Sequence, residues 1–157
     1  DTAQFMDLIK ADLPRYCDHF DTPHVLFVLA TAALVPSQTY AAAIQTYFDD
    51  RPALLLSTTT YPISPYWGLM PDGVGGWRPL FPDMVRLPSE QHPETRVDAG
   101  IFYLFDQSRC EKLTSVFEAS PLQVFDIPEQ IAQDIDTHED WNKLAERFSK
   151  ISGGKAQ

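Results

Sequence analysis

The alternation of helical and strand-like apolar patterns along this chain predicts an α/β fold built on a doubly wound, mostly parallel sheet. Three observations carry that expectation. Residues 24–30 (HVLFVLA) and 53–60 (ALLLSTTT) are apolar runs of the kind buried on both faces of a parallel sheet. Each follows a segment of helical periodicity, and helix, strand, helix, strand is the order of right-handed crossovers. The chain has 157 residues, 44% hydrophobic and 12% aromatic, enough for one domain with a real core and too apolar for a disordered one.

The elements follow in order. Residues 2–16 carry Phe5, Met6, Leu8, Ile9 and Leu13 at helical spacing, with Pro14 expected in or near the last turn. Residues 21–23 are a loop, and 24–30 the first strand. Ser37, after Pro36, is expected to cap a helix over 38–48, whose three consecutive alanines favour that state. The second strand is 53–60. From residue 61 to 97 the texture changes: seven prolines and the 73–76 run Gly-Val-Gly-Gly punctuate an irregular arm, with short strands expected around Trp67 and Trp77. Residues 100–105 (GIFYLF) return to a strand, and Asp106 is expected to cap a helix to about residue 116. Residues 123–127 read as a short edge strand and 137–151 as the closing helix, leaving 152–157 as a frayed tail.

Charge narrows the function. Twelve Lys and Arg stand against 22 Asp and Glu, a formal net charge of −10, and no basic stripe exists to neutralise a phosphate backbone, so nucleic acid is excluded as a partner. Cys17 and Cys110 have no metal-ligand spacing and are too few for a disulfide framework, so reduced thiols in a cytoplasmic protein are expected. The longest apolar run, 25–35, is too short to span a membrane. No charged segment followed by an apolar stretch opens the chain, and a signal peptide is not expected. The chain opens on Asp1 rather than Met, which makes a fragment or a processed product the expectation. The four histidines are too scattered for zinc, and His138 is expected on the surface.

The segment from Asp134 to Trp141 carries the most chemistry. Asp134 and Asp136 are two apart, so in extended backbone they share a face and can converge on one hard cation such as Mg²⁺. Thr137 reads as the N-cap of the helix behind them, with Asp140 three residues on and Trp141, Leu144, Phe148 and Ile151 as the apolar stripe. A solvated acidic turn before an ordinary cap is the competing reading.

These pieces resemble a family when taken in order: the first strand with Ala30-Thr31-Ala32, the strand ending in Ser57-Thr58-Thr59, Tyr61-Pro62-Ile63, Asp98-Ala99-Gly100 before Phe102-Tyr103, and the acidic 134–141 segment. Together they are similar to the cytidylyltransferases that activate nine-carbon acidic sugars, the acylneuraminate and especially the pseudaminic acid type. The likeness runs from about residue 5 to 149. It implies a nucleotidyltransferase-like fold lacking its first βα units, and a reaction in which CTP and a nonulosonic acid give a CMP-sugar and pyrophosphate with Mg²⁺. The resemblance makes Asp134 and Asp136 the metal ligands and Thr31, Pro62 and Asp98 substrate-binding positions. It also implies a homodimer formed through the arm, whose Tyr61, Trp67, Trp77 and Phe81 suit interface anchors.

The chain departs from the family in one direction. It contains no Gly-rich basic loop to hold the CTP phosphates. Ala33 replaces the expected proline, Ser64-Pro65 a polar–basic pair, Pro88-Ser89-Glu90 a basic Arg-Ser-Gln segment, Val97 a histidine and Ile101 a polar residue. Groups suited to phosphate and carboxylate have become apolar or acidic, so this chain by itself is expected to be inactive. The alternative is a degenerate, non-catalytic binding or dimerisation module of the same fold. Arg86 and Arg96 flank the arm; they are candidates for holding the sugar carboxylate, with solvated surface the favoured expectation.

Overall fold

The computed structural model describes residues 5–30, 32–61, 63–132, 135 and 137–153. The first helical stretch divides in two, α1 (Phe5–Ala11) and α2 (Leu13–Phe20). Pro14 sits in the first turn of α2, where its missing N–H is no loss; continuing α1 through it would clash with the carbonyl four residues back. Pro14 therefore begins a helix instead of closing one. After β1 (His24–Val28), α3 spans Ser37–Asp50 with Pro36 as its cap residue, so Ser37 is the first helical residue and not the cap. There follow β2 (Leu54–Thr59), the short strands β3 (Leu69–Pro71) and β4 (Trp77–Pro79), β5 (Val97–Asp106), α4 (Gln107–Cys110), β6 (Leu122–Asp126) and α5 (His138–Gly153).

The main sheet has the order β1-β5-β2-β6. Strand β5 is antiparallel to both β1 and β2, whereas β2 and β6 are parallel. The molecule is thus α/β with a mixed sheet: β1, β2 and β6 point one way and β5 alone opposes them. Two of the three ladders are antiparallel, where mostly parallel pairing was expected. The cause lies in the arm. A parallel neighbour needs a crossover that returns the chain to the starting end of the sheet, as α3 does between β1 and β2. The excursion after β2 supplies none, and its next sheet strand runs back.

Helices cover both faces. On one, Met6 and Ile9 of α1 pack with Leu54, Leu56 and Phe105, and the Phe5 ring lies 4.7 Å from Phe27 and 4.9 Å from Tyr103. On the other, Ala43 and Tyr47 of α3 pack with Leu55, Phe102 and Leu104. Alternate residues of one strand thereby serve opposite faces, which is why the runs read as continuously apolar. Asp106 caps a helix as expected, its Oδ1 accepting the Ser108 N–H at 3.0 Å, but α4 ends after one turn at Cys110 and a separate turn covers Val116–Glu118.

The arm folds on itself. Strands β3 and β4 form a hairpin, and at its turn Asp72 Oδ1 accepts the N–H groups of Val74 (2.9 Å) and Gly76 (2.8 Å). Gly73 and Gly75 adopt φ of 85° and 97°, which L side chains resist. At the arm's base, His92 Nε2 donates to the Met84 carbonyl at 2.9 Å, and its ring meets Tyr66 and Trp67 at 5.0 and 5.2 Å. Among the described residues no helix is long and apolar enough to cross a membrane.

Candidate functional site

In open α/β sheets the ligand crevice lies beyond the carboxyl ends of the parallel strands. Here β1, β2 and β6 end at one edge, and β5 enters from that edge between β1 and β2. The polar groups of the strand ends collect there.

The entry of β5 is irregular. Leu56 pairs with Tyr103 and Thr58 with Asp98, so Ser57 alone faces residues 99–102. The bulge is built from side chains. Asp98 Oδ1 accepts the Gly100 N–H at 2.9 Å, while Gly100 takes φ 62°, the left-handed region that favours glycine. Asp98 Oδ2 accepts the Tyr103 hydroxyl at 2.7 Å. The Ser57 hydroxyl, fully buried, accepts the Phe102 N–H at 3.0 Å and replaces a lost ladder bond. Both Asp98 oxygens thus carry a bond within the bulge.

A second cluster adjoins the first. Thr58, 2% exposed, donates its hydroxyl to Asp126 Oδ1 at 2.7 Å, and Arg96 Nε lies 2.8 Å from each Asp126 oxygen. Arg96 also pairs with Glu94 and donates to the Thr95 carbonyl. Burial pushes the Asp126 carboxyl up, but the Thr58 hydroxyl and the Arg96 guanidinium outweigh it and leave the group below its ordinary value. The same carboxylates hold the Arg96 guanidinium more firmly protonated than usual. Arg96 was expected as solvated surface. It is instead three-quarters buried and clamped between two acids, so much of its charge is already neutralised before any anion arrives.

Of the residues expected to form a site, Asp98 is described and stands at this edge. Thr31, Pro62, Asp134 and Asp136 lie outside the described residues. In sequence, Thr31 follows the end of β1, Pro62 the end of β2 and the acidic pair the end of β6. Among the described residues no group of three or more His, Cys, Asp or Glu could hold a metal ion. Thr137 caps α5 as expected: its Oγ1 accepts the Asp140 N–H at 3.2 Å, and Asp140 Oδ2 accepts the Thr137 N–H at 3.1 Å. His138 is exposed. Sequence reading missed the Thr58–Asp126–Arg96 cluster. Its signal was the three hydroxyl residues, Ser57, Thr58 and Thr59, closing an otherwise apolar strand, but the partners stand 68 and 30 residues apart.

No protein-family model matches the chain, and no curated protein does.

Proposed function

We propose that the chain is a scaffold of the CMP-nonulosonic acid synthetase type, carrying the sugar-acid and metal half of a site that joins CTP to a nine-carbon acidic sugar with Mg²⁺. The observation that supports this reading is the strand arrangement at one edge. Three parallel strands end there, and the segments holding Thr31, Pro62, Asp134 and Asp136 each follow one of those ends in sequence. Asp98, Thr58, Asp126 and Arg96 furnish polar groups at the same edge. On this reading the sheet is a nucleotidyltransferase-type, doubly wound sheet without its first βα units. Asp134 and Asp136 would hold Mg²⁺, which supplies charge neutralisation at the transferred phosphoryl group. Arg96, the cation described at this edge, is engaged by Asp126 and Glu94, so on this reading the chain holds a triphosphate weakly and does not turn over by itself.

Pyrophosphate release from CTP, Mg²⁺ and a panel of nonulosonic acids, measured beside the Asp134→Asn/Asp136→Asn double variant, tests the proposal. Release lost in the double variant establishes the reaction and overturns the expected inactivity. No release, with nonulosonic acid still bound in a Mg²⁺-dependent manner by calorimetry, supports the half-site. Neither turnover nor binding refutes it.

A second reading, a dimerising module of the same fold, is favoured by the arm. Trp67, Leu69, Val74 and Trp77 are 48%, 60%, 90% and 69% exposed there. Exposed aromatics on a self-packed hairpin suit an interface with a second copy. Sedimentation is the measure: a dimer that Trp77→Ser/Val74→Ser converts to monomer supports it, and a wild-type monomer rules it out.

A further inference from the structure

We draw no further inference here: the strongest candidate, the Arg96–Glu94 ion pair on the sheet edge where the parallel strands end, belongs to the site already described.

Discussion

Ser57 stands where one residue of β2 faces four of β5, and its hydroxyl takes the N–H of Phe102 that the bulge would otherwise leave unpaired. Ser57→Ala strands a buried donor, so it should lower stability by about 1–3 kcal/mol, read from the shift in urea midpoint. Asp126 sets an acid limit. Its folded-state carboxyl lies below the ordinary 3.8, since Thr58 and Arg96 outweigh burial, so its stabilisation is present above that value and is lost as pH falls through the folded one. Asp72 behaves alike through the N–H groups of Val74 and Gly76. Urea midpoints should therefore fall on acidification below about pH 4, and Asp126→Asn should flatten part of that fall. A midpoint unchanged by acid would contradict both shifts. At about pH 8, only Cys17 should react with a thiol reagent in the native chain. Cys110 is fully buried, and burial, then Asp106, pushes its thiol up to about 11.

Among the elements, α5 was the most legible. The reciprocal bonds of Thr137 and Asp140 follow directly from a hydroxyl and a carboxylate three residues apart, and Leu144 of the apolar stripe is buried. Thr137→Ala should destabilise by about 1 kcal/mol in the same urea assay. Trp141 and Phe148 of that stripe, however, are more than half exposed, because a helical period states which face is apolar and not whether anything covers it. The α1–α2 break was less legible: periodicity runs on through Pro14, and only the clash with the carbonyl one turn back divides it. Ile9 ties α1 to the sheet at 0% exposure, and Ile9→Ala should cost about 2–5 kcal/mol by the same measurement. A smaller loss would mean that α1 is not integral to the core.

At the scale of the molecule, the sequence by itself determined which segments are apolar on both faces, where the chain turns irregular, which residues cap α4 and α5 and that the chain is strongly acidic. Those are local properties, written in neighbouring residues through helical period, strand length and the chemistry of proline, glycine and hydroxyl side chains. Tertiary structure alone decided the direction of β5, the bulge at Asp98–Gly100 and the meeting of Thr58, Arg96 and Asp126. An apolar run reads the same in either direction, so HVLFV and FYLF state burial but not polarity of pairing. The direction follows from where the 61–96 excursion delivers the chain, and the cluster follows from the direction. Arg96 could be read as surface while its partners were unknown. Placed beside Asp126 and Glu94, it becomes a neutralised cation at the edge where a ligand would approach, because charges separated in sequence act on one another only through the distances the fold imposes.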